Sequence, residues 1–173
     1  MEMVHLITWN LSDIVHAVAG ELINPPASDI QITGISHDSR ELEKGAIFVP
    51  IVAERNGHDF LQSARNNGAA ASFWSDDLTK APTDFPLIKV EDTQKAFMDF
   101  GKWYLNQVNP KVVGITGSNG KTTTKDMTAA VLGTKYAVHK TAGNENNQLG
   151  VPKTLAGYTQ IPRTNFINWS CCL

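Results

Sequence analysis

Cysteine is nearly absent from this 173-residue sequence: Cys171 and Cys172 are adjacent and lie within its last three residues. So placed, they make neither a disulfide framework nor a metal site of recognised spacing. An excess of one charge is also lacking. Fifteen basic against 17 acidic residues leave a net charge of −2, which gives no electrostatic basis for binding nucleic acid or an anionic membrane. No apolar run approaches membrane-spanning length, and the first residues lack the basic stretch and apolar core of a secretory leader. A cytoplasmic protein without membrane insertion or a nucleic-acid partner is expected. Repeats and low-complexity tracts are missing as well, while 42% hydrophobic and 18% charged residues mark a globular chain.

The most informative stretch begins with the β-branched run Val112, Val113, Gly114, Ile115 and Thr116. It breaks into Gly117, Ser118, Asn119, Gly120, Lys121, Thr122, Thr123 and Thr124. The run reads as a buried parallel strand, and Met127, Ala130 and Val131 then recur at helical spacing, so the glycines fall at a strand-to-helix turn. Such a turn is the setting of a phosphate-binding loop. Backbone N–H groups from Gly117 to Thr123 close around phosphate oxygens and the helix N-terminus adds partial positive charge. Lys121 reaches the β- and γ-phosphates, which makes it the catalytic candidate, and the Thr122 hydroxyl suits Mg²⁺. The common pattern has a glycine five residues before Gly120, where this chain has Ile115. The loop is therefore a tighter Gly-x-x-Gly-Lys-Thr variant. A glycine-rich turn that binds nothing shares its composition; strand, helix and Lys-Thr pair together favour the phosphate loop.

Upstream, Leu11, Ile14, Val15, Val18, Ala19 and Leu22 have helical spacing, with Thr8, Asn10 or Ser12 as the cap and Gly20 near the end. Ile30, Ile32 and Ile35 alternate as in one half-buried strand. Ser36, His37, Asp38, Ser39 and Arg40 follow as a polar cluster, with Arg40 offering a fork for phosphate or carboxylate and Ser39 a hydroxyl; a loop capped by Asp and Ser is the alternative. Residues 46–50 read as a strand, 56–60 as a turn leading into a helix through Leu61 and Ala64, and residues 69–74 and 86–90 as strands. Residues 76–85 form a polar loop without evident chemistry. A longer helix spans 93–108 and stops at Asn109 and Pro110. Strands alternating with helices argue for an α/β layer structure. The boundary is expected at residue 109, because a nucleotide-binding domain opens on a strand–loop–helix unit. Beyond a short strand at 136–139, Asn144, Asn146, Asn147 and Gln148 crowd between glycines, where amides can bind a sugar or base or simply form a solvated loop.

Taken together these motifs resemble the Mur ligase family, ATP-dependent amide-forming enzymes of cell-wall precursor synthesis, from Leu11 to about Leu155. The residues 116–122 look like the family's short phosphate loop. Ser39 and Arg40 with Gly45, Phe48, the run from Gly57 to Phe60, Gly68 and Ala69 look like its N-terminal substrate domain. The pattern from Lys140 through Gly143, Asn144, Asn146, Asn147, Gly150 and Pro152 to Thr154 is most similar to members adding D-alanyl-D-alanine. The resemblance implies an α/β fold, with a small N-terminal UDP-sugar-binding domain over 1–109 and the start of a P-loop ATPase domain with a parallel sheet over 110–173. It implies ATP and Mg²⁺ as cofactors, and UDP-N-acetylmuramoyl-peptide and D-alanyl-D-alanine as small-molecule substrates of a monomer. Ser39, Arg40, Asn144 and Asn147 would contact substrate, Gly117 to Thr123 the nucleotide, and Thr122 the metal. Asn56, where Asp is frequent, and Val52 with Ala53 depart from the substrate-domain pattern. A sibling ligase of the family, or a non-catalytic UDP-sugar or nucleotide-binding module, remains an alternative.

Residues 161–166 look like the approach to the family's next strand, which brings an acidic Mg²⁺ ligand. Residues 167–173 do not look like an acidic continuation. The expectation is a frameshift or premature stop near Phe166, leaving a chain that does not catalyse ligation alone and whose segment after Asn109 exposes apolar surface.

Overall fold

The computed structural model describes residues 8–140 and the backbone of 166–170. It divides into two compact units, Ile7–Phe100 and a second that takes in the chain from Gly101 onward.

The first unit is built on a five-stranded sheet. Its strands are β2 (Glu21–Ile23), β4 (Ile35–Ser36), β5 (Ile47–Phe48), β6 (Ala71–Trp74) and β7 (Leu87–Lys89), in the order β2-β7-β6-β5-β4. The run from β4 to β7 is parallel, and β2 joins the edge antiparallel, Leu22 opposite Ile88. Phe48, Phe73, Leu87 and Ile88 are fully or almost fully buried, as the both-faced burial of a parallel sheet requires. A separate antiparallel pair joins β1 (Trp9–Asn10) to β3 (Gln31–Ile32).

Two expectations are corrected in this unit. The alternating isoleucines do not make one strand: Ile32 pairs with Trp9 in β3, while Ile35 pairs with Ile47 in β4. The first helix, α1 (Leu11–Ala17), stops five residues before Leu22, which sits in β2. Ala19 turns left-handed at φ +50°, ending the helical run despite its continuing apolar period. Asn10 is the N-cap, without a side-chain capping bond.

The helix α2 (Leu61–Asn66) buries Leu61 and Ala64 in a cluster with Leu42, Ala46, Phe48, Trp74, Phe85 and Leu87. The loop that looked bare of chemistry contributes here through Phe85, and Asp84 pairs with Arg65 at 2.7 Å. The helix α3 (Thr93–Val108) matches its expected bounds. Asp92 Oδ1 accepts the N–H groups of Gln94 and Lys95 at 2.7 and 3.0 Å and so caps the helix start. Its stripe of Ala96, Phe97, Phe100 and Tyr104 is buried, and Phe100 meets Trp9 edge to face at 5.4 Å. The division between the units falls within this helix.

The second unit has strands β8 (Lys111–Ile115), β9 (Val138–Lys140) and β10 (Phe166–Ser170), with the helix α4 (Lys121–Gly133) packed against all three. All pairings are parallel and β10 lies in the centre, Phe166 opposite Lys111 and Ser170 opposite Ile115. The expected parallel strand is present, but it is not buried: Val112 is 51% exposed. The same holds for the expected apolar stripe of α4, where Met127 and Val131 are 66% and 70% exposed and Ala130 is exposed. Among the described residues α4 is the one helix packed on this sheet, and a single layer cannot cover both faces of strands composed for burial on both.

Candidate functional site

The phosphate-loop residues fall where the spacing places them. β8 ends at Ile115, residues 116–120 make the turn, and α4 starts at Lys121. Gly117 has φ +146° and Gly120, the N-cap, has φ +75° and ψ 1°. Both lie in the region that disfavours residues bearing a Cβ. A glycine N-cap has no side-chain acceptor, so the first-turn N–H groups of this 13-residue helix have no capping side chain from that position and present the positive end of the helix dipole to the loop. Lys121 folds back over the turn, donating from Nζ to the Gly117 carbonyl at 2.5 Å. The ammonium thus stands at the loop that its three donors would serve if a phosphate took the same position. Thr122 and Thr123 are exposed on the first turn.

One turn further, Lys125 is 1% exposed, and its ammonium lies 3.9 Å from Asp126. The Asp126 carboxylate accepts from Lys140 at the end of β9 at 2.6 Å, and this bond, with the charge of the two lysines, holds the carboxyl below its ordinary range. Neither residue was singled out from sequence. Their Lys-Asp order after the threonines was visible, but their pairing with Lys140 depends on β9 returning beside the helix.

Ser39 and Arg40 belong to the first unit, after β4. Arg40 does offer a fork, but one edge is already committed: Nε reaches Asp38 Oδ1 at 2.9 Å and Nη2 reaches Oδ2 at 2.7 Å, while the Arg40 backbone N–H also bonds Oδ1 at 2.9 Å. These bonds push the Asp38 carboxyl far below the usual carboxylate range. The Arg40 side chain is 82% exposed, so the opposite edge of the guanidinium faces solvent. Ser39 is buried, and its carbonyl accepts from Asn67 Nδ2 at 2.7 Å. The loop is therefore both self-capped and held, with a charged group at its rim. Asn144 and Asn147 lie outside the described residues.

Asn56, noted above as a departure, centres a cluster that spacing did not disclose. Its Oδ1 accepts from the His58 backbone N–H at 3.1 Å and from His58 Nδ1 at 2.7 Å, and its Nδ2 donates to Asp76 Oδ2 at 2.9 Å. His58 Nε2 accepts from the Ser75 N–H at 3.1 Å, which assigns the proton to Nδ1. The imidazole is buried edge-on against Trp74 at 4.7 Å, and burial lowers its pKa. With every polar atom partnered, this cluster joins the 56–60 turn to the end of β6 rather than addressing a ligand.

Comparison with known proteins agrees with this geometry. Residues 115–165 match the Mur ligase middle domain. The chain is 43% identical over 151 residues to the UDP-N-acetylmuramoyl-tripeptide–D-alanyl-D-alanine ligase of Bacillus subtilis, an alignment covering 87% of this chain and 33% of that protein. Among solved structures it is similar to MurF from Acinetobacter baumannii, with a TM-score of 0.85 and 27% identity over 97% of this chain and 36% of that one. It is also similar to MurF from Thermotoga maritima in complex with ADP, with a TM-score of 0.67 and 30% identity over 79% and 31% of the two chains. The chain thus spans about a third of the length of the relatives it matches. With the short phosphate loop at its strand-to-helix turn, residues 115–165 are those of a Mur ligase middle domain, and the chain is similar to Mur ligases over nearly its whole length.

Proposed function

We propose that the chain provides the UDP-sugar-binding domain, residues 1–109, and the opening of the ATP-binding domain, residues 110–173, of a ligase joining D-alanyl-D-alanine to UDP-N-acetylmuramoyl-tripeptide. The observation that carries the proposal is the loop from Gly117 to Thr123. Two left-handed glycines, an uncapped helix start and Lys121 at 2.5 Å from the Gly117 carbonyl fall within one strand-to-helix turn. The ADP bound to the Thermotoga relative supports the choice of nucleotide.

In the reaction, a carboxylate oxygen of the tripeptide attacks the γ-phosphorus of ATP and the bond to ADP breaks. The amine of D-alanyl-D-alanine then attacks the acyl-phosphate carbon, phosphate leaves with the bonding electron pair, and the amine proton passes to solvent. Such a transfer depends on positioning and charge neutralisation. Lys121 supplies the charge and the N–H groups from Gly117 to Thr123 the positioning. Arg40 and Ser39 address the UDP-sugar, and Asn144 and Asn147 touch substrate. The enzyme acts as a cytoplasmic monomer; among the described residues no helix is long and apolar enough to cross a membrane. For Mg²⁺ the second unit offers the Thr122 hydroxyl, and its one carboxylate among the described residues, Asp126, is taken by Lys140. Among the described residues of this unit the donor set does not fit the ion.

Calorimetric titration of the purified chain tests the reading. ADP and UDP-N-acetylmuramoyl-tripeptide each bind, Lys121→Met weakens ADP about tenfold or more, as loss of a charge-assisted bond should, and Arg40→Ala weakens only the UDP-sugar. Equal ADP affinity in wild type and Lys121→Met would refute it.

A further inference from the structure

An arginine on a surface loop ordinarily keeps its guanidinium in water and samples many rotamers, so the order that a bound anion imposes on it counts against binding. Arg40 is held beforehand. Asp38 takes its Nε and Nη2 at 2.9 and 2.7 Å in a two-bond fork, which leaves Nη1 and the second Nη2 hydrogen on the edge that faces solvent. The carboxylate is itself anchored: the Asp38 N–H donates to Ser36 Oγ at 3.1 Å, and the Ser36 carbonyl accepts from the N–H of Val49, the residue after β5, at 2.8 Å. On the other side of the loop, Asn67 at the end of α2 holds the Ser39 carbonyl at 2.7 Å. The Asp38 side chain is 22% exposed against 82% for Arg40, so the carboxylate belongs to the frame of the loop and the guanidinium stands out from it. The parallel donors on the open edge match two oxygens of one phosphate or carboxylate.

We infer that Asp38 is the positioning residue for Arg40, fixing its guanidinium so that the open edge is aimed outward at an anionic group of the UDP-sugar. The inference rests on the reading of Arg40 as a UDP-sugar contact proposed above. The carboxylate acts in two ways, and the two are separable. Oδ1 caps the loop by accepting the Arg40 backbone N–H at 2.9 Å, which an asparagine oxygen also does. The fork on the guanidinium needs both oxygens and the charge, which asparagine lacks and glutamate keeps. The carboxylate also repels an anion bound on the far edge, but at an exposed site that repulsion is screened, so the geometry decides the sign.

The test is titration of UDP-N-acetylmuramoyl-tripeptide into the purified 173-residue chain. Arg40→Ala weakens binding about tenfold, Asp38→Asn about fivefold and Asp38→Glu less than about twofold. In the Arg40→Ala background, Asp38→Asn changes the affinity by less than about 1.5-fold, because the carboxylate has nothing left to aim. Three results overturn the inference: Asp38→Asn at wild-type affinity or tighter, Asp38→Glu weaker than Asp38→Asn, or a loss of about fivefold that persists in the Arg40→Ala background. Asp38 then caps the loop or screens Arg40 and does not aim it. Equal affinity in wild type and Arg40→Ala, or no binding by either, overturns the reading of Arg40, and this inference with it. Circular dichroism checks folding; if Asp38→Asn is unfolded, Asp38→Ser, which keeps a capping oxygen, takes its place in the cycle.

Discussion

Substitution of Gly120 separates the backbone geometry of the phosphate loop from its sterics. Gly120 sits at φ +75°, and a Cβ built there meets nothing within 4 Å. A larger residue therefore pays for conformation and not for collision. Holding an ordinary residue in the left-handed region costs about 1 kcal/mol, and more for a β-branched one, about 2 kcal/mol. Asparagine visits the region most readily. The turn is solvent-exposed, so a strained residue relaxes in the free protein and the cost falls on nucleotide binding, which needs the N–H groups back in place. ADP affinity measured by calorimetry should fall about fivefold for Gly120→Ala and about thirtyfold for Gly120→Val. Gly120→Asn should stay within about twofold of wild type. Equal affinities for glycine, alanine and valine, or asparagine as the weakest binder, would show that the left-handed turn is not what organises the loop.

Two further outcomes concern the first unit. A Cβ at Gly57 would lie 2.4 Å from both the N and the O of Ile51, backbone atoms that cannot rotate away; Gly57→Ala should cost at least about 3 kcal/mol in urea unfolding. His58 is buried, with its pKa lowered by desolvation and only partly restored by the charge of Asp76 and Asp59. The folded state therefore prefers the neutral ring, whose Nε2 accepts the Ser75 N–H. Its contribution is complete above the unfolded value near 6.5 and is lost as pH falls below it. The melting temperature of wild type should decline across that interval, and a His58→Gln variant should show a shallower decline; parallel curves would refute the assignment.

How much of this was open to the sequence differs from element to element. α3 was legible to the residue because its apolar stripe and the Asn109-Pro110 stop are local signals, each acting within a turn or two of chain. α1 was overextended because its period continues past Ala19, where the backbone turns left-handed and β2 finds β7 as its partner. The phosphate loop could be read directly, since its chemistry is backbone chemistry carried by consecutive residues. The Asn56 cluster could not, since Asn56, Ser75 and Asp76 meet only when β6 places its end beside the 56–60 turn.

The sequence by itself determined the alternation of strands and helices, the glycine-lysine turn and the fork at Arg40, because these depend on residue type and short spacing. Tertiary structure decided the rest. It assigned Ile32 and Ile35 to different sheets, gave Asp126 to Lys140, and set Ser170 beside the end of β8. Each of those outcomes depends on which strand lies next to which. Strand pairing joins residues far apart in the chain, so local preference does not encode it.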